Sequence, residues 1–415
     1  MTVFSPEWRV TVNGSTVTDT TLVNLTMTSG RQSIYEQPAA SYCNLTLITE
    51  PANSVSWNIN DTVTIEVKDS SAAYVVLFGG FITDVSIGVV NAGAIKVMQE
   101  VRIVAAGALA RLVRANFTGN LQSNYDGDQI YELLEGVLFD DWQGVPGGLT
   151  WDTYDPAITW ENAQNSGLGE IDQPGDYELD SQNNLNDSVY NIATRVARSG
   201  LGYLYEDAQG RIGYADSTHR GEYLATYGYV DLDARQAYGV GLEILKRAGD
   251  VRNKVSVIYG SAGNASVEDS DPDSISIFGE LATTIDTTLK NQGDATTQAA
   301  FYLDLRAYPQ YSFNRIIFPL GNPEIDNVDR DALLNVFIGL PVNIQNLPAN
   351  MTNGEFQGFV EGWTWRAGVN GLSLELTLSP VAFSLQAFRW NSVPVTESWN
   401  TLSPTLDWLN ATIVA

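Results

Sequence analysis

The sequence predicts a mainly β protein with α+β insertions, built from two related β units. Three observations carry this. Residues 313–387 read as successive strands, the same grammar occurs between 61 and 112, and the chain between them changes to helical spacing. In the C-terminal unit, Leu372, Leu374, Leu376 and Leu378 alternate with Ser, Glu and Thr, the period of a strand with one buried face. Trp363 and Trp365 are two apart and share a face, and Arg366–Gly371 supplies a hairpin turn. Asp61–Val67 resembles Leu340–Gln345, and Phe78-Gly-Gly-Phe-Ile82 resembles Phe356-Gln-Gly-Phe-Val360, 278 residues further on. Closing strands follow at Val101–Ala105 and Leu374–Leu378, then short apolar segments at Ala108–Leu112 and Val381–Leu385. The order of these parts indicates an internal duplication.

Taken in order, residues 1–115 form the first β domain. Trp8–Val12 runs into Asn13-Gly14, a strong hairpin signal. Leu22–Thr28 is a strand broken at Gly30-Arg31, and Gln37–Leu47 ends in alternation that turns Cys43 inward. Residues 116–245 read as a smaller α+β domain. Helices are expected at Asp128–Phe139, capped by Asp126 or Asp128, and at Asn184–Ser199, ended by Gly200. Gly144–Asp180 reads as an exposed loop or arm, and Gly202–Tyr214 as a hairpin turning at Gln209-Gly210. Residues 246–390 hold the strand Lys254–Tyr259, an acidic linker, the helix Asp294–Ala307 and the second β unit, with a strand expected across Leu334–Gln345. Residues 391–415 read as an extended C-terminal arm.

Bulk properties exclude several functions. The chain has 415 residues, of which 22 are Lys or Arg and 49 Asp or Glu, giving a formal net charge of −27. Nucleic-acid affinity rests on cations that displace counterions, so this is no simple DNA binder, and docking on an anionic membrane is equally disfavoured. Cys43 is the single cysteine, which rules out an intrachain disulfide and a multi-cysteine metal site. Met1–Trp8 shows neither basic nor apolar signal character, and the apolar run Ala72–Ile82 is too short for a membrane helix. Asn-x-Ser/Thr triplets such as Asn24–Thr26 reflect an Asn- and Thr-rich β composition.

Catalytic patterns are sparse. His219 is the single histidine, no Gly-x-Ser-x-Gly elbow accompanies it, and no phosphate-binding glycine loop occurs. No catalytic residue and no cofactor is assigned. Asp269, Asp271, Asp273 and Glu280 fall at positions 1, 3, 5 and 12 of a calcium loop, although Ser274 stands where the turn glycine belongs and Pro272 interrupts it. Glycosidase-type carboxylates would be Asp140-Asp141 beside Trp142, or Asp152 and Asp155 near Trp151 and Trp160. Trp363 and Trp365 would suit either a sugar-stacking platform or a core.

The chain resembles the tail hub (minor tail, baseplate-hub) proteins of long-tailed bacteriophages, especially actinobacterial siphophages. The residues carrying the resemblance are Gly30-Arg31 with Gln37-Pro38, Phe78–Asp84, Asn253–Gly260, the helix into Ala307-Tyr-Pro309, Ile338–Val342, Phe356–Trp363 and Leu376–Pro380. The resemblance implies two tail-tube-like β-barrel domains plus the smaller α+β domain, and a homotrimer whose six tube-like units continue a sixfold tail tube. It implies a virion location at the tail tip, with the distal tail protein or tube ring, the tape measure protein and tip or receptor-binding proteins as partners. Genomic DNA would be met only in transit, along an acidic lumen that phosphates do not stick to. A carbohydrate-binding tip protein and a cell-wall glycan hydrolase remain as alternative readings.

Overall fold

The computed structural model describes residues 4–18, 20–50, 57–91, 98–136, 168–239, 242–260, 265–313, 315–369 and 371–385. Its centre is a 12-stranded sheet. One path through it runs Val230–Asp233, Pro341–Gln345, Phe356–Gly368, Thr20–Gly30, Ala39–Thr49, Met98–Ala106, Tyr74–Asn91, Thr62–Lys68, Trp8–Val12 and Ser15–Thr16. Gly371–Pro380 also pairs with Phe356–Gly368, and Ile316–Pro319 pairs with Gly371–Pro380. The hairpin at Asn13-Gly14 forms as expected, with φ of 47° and 74° at the two turn residues, the twist that matches the flanking strands.

The two β units repeat each other down to register. Val63 faces Gly80 as Val342 faces Gly358, and Ile65 faces Phe78 as Ile344 faces Phe356. A bulge separates Ile82 from Asp84 against the closing strand, and another separates Val360 from Gly362 at the equivalent place. The Phe-x-Gly-Phe step has a steric cause. A Cβ on Gly80 would lie 2.4 Å from the Ala106 carbonyl oxygen, and one on Gly358 would lie 2.6 Å from that of Ser379. Each closing strand then enters a short helix, Leu109–Arg114 or Val381–Phe383. The outermost strands break the symmetry. Trp8–Val12 is antiparallel to Thr62–Lys68, whereas Val230–Asp233 is parallel to Pro341–Gln345.

No closed barrel occurs among the described residues. Thr20–Gly30 inserts between the units, pairing with Phe356–Gly368 on one side and Ala39–Thr49 on the other, so the units share one open sheet. Its core includes Leu25, Met27, Cys43, Ile65, Ile82, Trp363 and Trp365.

A second core lies under helices Asp126–Gly136, Val189–Ser199 and Gln292–Arg306. It joins Leu121, Ile130 and Val196 to Val255, Val257 and Leu303, so the segment 254–306 packs with the α+β region rather than with the second β unit. Four local expectations need correction. Within Gly144–Asp180, expected as an exposed loop or arm, Leu168–Ile171 is a strand parallel to Ile212–Ala215 and Glu178–Leu179 pairs with Asn124–Tyr125, with Ile171 and Leu179 fully buried. Gln182–Ser188 is a strand paired with Asn116–Leu121, and the helix begins only at Val189, with the Ser188 side chain accepting from the Asn191 N–H. Asn327–Leu334 is a helix capped by Asp326, and the strand starts at Pro341. The acidic linker is not a linker: strand Ala265–Ser270, helix Pro272–Phe278 and strand Ala282–Asp286 fold onto Lys254–Tyr259. The arm assigned to 391–415 lies outside the described residues.

Candidate functional site

Where the two β units meet the α+β body, three charges are buried together. Gly30, at φ +82°, ends its strand, and the chain turns so that Arg31 points inward. The bulge in Phe356–Gly368 leaves Glu361 as the extra residue, buried to 1% exposure. Arg31 Nε donates to Glu361 Oε2 at 2.6 Å, and Arg31 Nη1 donates to the Glu36 carbonyl at 3.0 Å. Arg220, on helix His219–Tyr227, donates to Oε1 at 2.8 Å and to Oε2 at 2.9 Å. The Ser379 hydroxyl also donates to Oε1. Tyr203 lies under both guanidinium groups, at 5.1 Å from Arg31 and 4.7 Å from Arg220. Burial pushes the Glu361 carboxyl upward, but Arg220 and Arg31 outweigh it and hold the group down at about 2. Two cations share one anion, and Arg31 is the less compensated: burial, with Arg220 nearby, lowers its pKa.

Beside this junction opens a cleft of about 530 Å³. In a chain with so few basic residues, Arg31, Arg198, Arg220, Arg252 and Arg306 all line it. Arg306 ends helix Gln292–Arg306 and is 4% exposed. Its guanidinium is enclosed by rings, with Phe383 at 4.1 Å, Tyr35 at 4.9 Å and Tyr302 at 5.7 Å. Among the described residues its Nε and Nη1 find no hydrogen-bond partner. Burial lowers its pKa.

Next to Arg220, His219 opens a helix rather than sitting in a loop, and its Nδ1 lies 2.7 Å from Asp172 Oδ2. Ser217 donates to Asp176, so this seryl hydroxyl is directed at a carboxylate and not at the imidazole. Asp216 accepts from Thr218 and the His219 N–H, while burial, with Asp172 and Asp176 nearby, pushes its carboxyl up to about 7. Burial likewise lifts Asp126 to about 6, although Tyr214 and the Tyr177 N–H donate to it.

The calcium-loop residues are dispersed. Asp269 sits in a strand opposite Val255, and Asp271 caps the helix by accepting from the Ser274 N–H at 2.9 Å. Asp273 lies in the first helical turn, and Glu280 pairs with Lys254 at 3.4 Å. Pro272 at the first helical position starts a helix where a calcium loop would have to curl. No three acidic, His or Cys groups gather as a metal site among the described residues. Trp363 and Trp365 are core residues at 4% and 1% exposure, which leaves no sugar platform there. Asp140, Asp141, Trp142, Trp151, Asp152, Asp155 and Trp160 lie outside the described residues. No described helix is long and apolar enough to cross a membrane.

Sequence reading passed over Glu361, Arg220 and Arg306. The available signal was Glu361 itself, a lone acid between Val360 and Gly362 in a strand that is mostly buried.

No family model matches the sequence, and no curated protein does. Solved structures do. The tail protein from Neisseria meningitidis MC58 matches with a TM-score of 0.56 at 13% identity, covering 92% of this chain and 98% of that one. The 43 kDa tail protein of prophage MuSo2 from Shewanella oneidensis also matches with a TM-score of 0.56, at 9% identity, covering 91% of this chain and 99% of that one. The chain therefore has the fold of these proteins along nearly its whole length.

Proposed function

We propose that this chain is a structural protein of a bacteriophage tail, and within the tail the hub at the tip. The observation that carries the reading is the duplicated β unit, with its pairings and bulge repeated at offsets of 278 and 279 residues, inside a fold shared over about nine-tenths of the chain with a bacterial tail protein and a prophage tail protein. Two tube-like units per chain give six in a homotrimer, which matches a threefold hub to a sixfold tube. In that assembly each tube-like unit contributes to a barrel wall closed by its neighbours, the arrangement an open sheet calls for, since its unpaired edges need a partner. The hub lies at the tail tip of the virion, between the distal tail protein or tube ring, the tape measure protein and the tip or receptor-binding proteins. Its acidic surface lets genomic DNA pass without adhering. It acts without catalysis and without stable membrane association. Imaging of the assembled particle tests this: three copies of the chain in one ring at the tip are expected, and any other count overturns the hub assignment.

A further inference from the structure

The charge of the arginine cleft is out of balance: five arginines line it against Asp216 and Asp286, with Glu361 behind them already shared by Arg31 and Arg220. Arg306 is buried, with a hydrogen bond to Tyr302 and only longer-range help from Glu361; two of its N–H donors are unpaired and no carboxylate is in ion-pair contact among the described residues. A buried cation without a counter-ion in direct contact is costly, and proteins ordinarily pair such groups.

We propose that this cleft receives the carboxylate side chain of an Asp or Glu from a neighbouring protein. Arg306 stands on its buried wall, and half-buried Arg252 and exposed Arg198 lie nearer the solvent. The size favours a side chain on a peptide, because about 530 Å³ far exceeds one small ion. The walls favour it too. Tyr35, Tyr302, Phe383 and Leu305 offer apolar surface to a methylene stem, while the guanidinium groups take the head. Asp216 and Asp286 at the same cleft oppose a dianion such as phosphate more than a single carboxylate. A nucleic-acid strand brings a charge at every step and is repelled by a chain of net charge −27, whereas a protein loop needs to bring only one. Tyr35 stacks near both Arg252 and Arg306 and anchors its hydroxyl on the Asp250 carbonyl at 3.1 Å, so it is placed to cover the stem of an inserted residue.

The test uses the full chain and a fluorescently labelled, end-blocked Leu-Glu-Leu peptide at low salt, with the Leu-Gln-Leu counterpart, free glutamate and inorganic phosphate as competitors. Saturable binding with a Kd of about 1 mM or tighter is expected for the Glu peptide, and about tenfold or more weaker binding for the Gln peptide. Arg306→Gln should weaken the Glu peptide at least about tenfold, and Arg252→Gln severalfold. If circular dichroism shows that R306Q does not fold, R252Q at the more open position carries the test alone. The proposal is overturned if the Glu peptide fails to bind, if the Gln peptide binds equally well, if the folded variants bind like the parent, or if phosphate displaces the peptide at lower concentration than free glutamate does.

Discussion

Replacing Glu361 by Gln tests whether the buried junction holds the molecule together. The side chain keeps its shape and retains acceptor capacity for Ser379 and Arg220, but the charge is gone. Arg31 and Arg220 are then two buried cations facing each other without an anion. Removing one partner of a buried ion pair costs about 3–5 kcal/mol. The carboxyl's own displacement, from 4.5 down to about 2, gives a similar figure of about 3 kcal/mol at roughly 1.4 kcal/mol per pKa unit. Urea unfolding at pH 7 should therefore show E361Q less stable by about 3–5 kcal/mol. The pH dependence gives a second reading. A carboxyl whose folded pKa is depressed stabilises the fold above its unfolded pKa and loses that contribution as pH falls through the folded one. The parent should lose stability from pH 4.5 toward 2, and the gap between parent and E361Q should narrow over the same range. A cost below about 1 kcal/mol, the level of an exposed pair, would refute the reasoning, as would a gap that stays constant with pH.

The opposite sign applies at Asp216, whose folded pKa is raised to about 7: its cost is absent below the usual 3.8 and grows as pH rises toward 7. Asp216→Asn keeps an acceptor for Thr218 and His219, so thermal or urea unfolding should show a gain of about 1–2 kcal/mol at pH 8 and none at pH 4; equal effects at both would contradict this. Gly30→Ala should destabilise by at least about 2 kcal/mol, because the new Cβ lies 2.4 Å from the Glu361 carbonyl oxygen and the backbone is at φ +82°. Unfolding curves for G30A that overlay those of the parent would show that the two strands separate freely.

Local chemistry made much of the fold legible. Asn13, Gly14 and Gly210 announce turns because few other residues adopt their φ of +47°, +74° and +81°. Phe78–Phe81 and Phe356–Phe359 advertise the duplication because glycine at the third place lets the neighbouring backbone close in. Errors arose where a distant partner decided the outcome. Leu185 and Val189 fit one helical face, yet Asn186 and Asp187 pair with Thr118 and Phe117, and that pairing overrides the local period. The site was hidden for a related reason. Glu361 turns inward only because the strand bulges there, and its two cations come from residues 31 and 220, which no spacing connects. The lone acid in a buried strand was visible, but not its partners.

The insertion of Thr20–Gly30 between the two units also sets a timetable for synthesis. One edge of this strand meets Ala39–Thr49 almost at once, while the other waits for Gly362–Gly368. The Arg31–Glu361 contact spans 330 residues. At about 5–20 residues per second, the ribosome needs roughly 15–65 s to supply the missing side. Throughout that interval the nascent chain carries an unpaired edge and a guanidinium without its counter-ion, the kind of surface on which neighbouring nascent chains pair wrongly. Circular permutants that open the chain between the units would shorten or lengthen the wait while leaving the finished contacts alone, so their yield of soluble protein would report on the order of assembly rather than on the stability of the product.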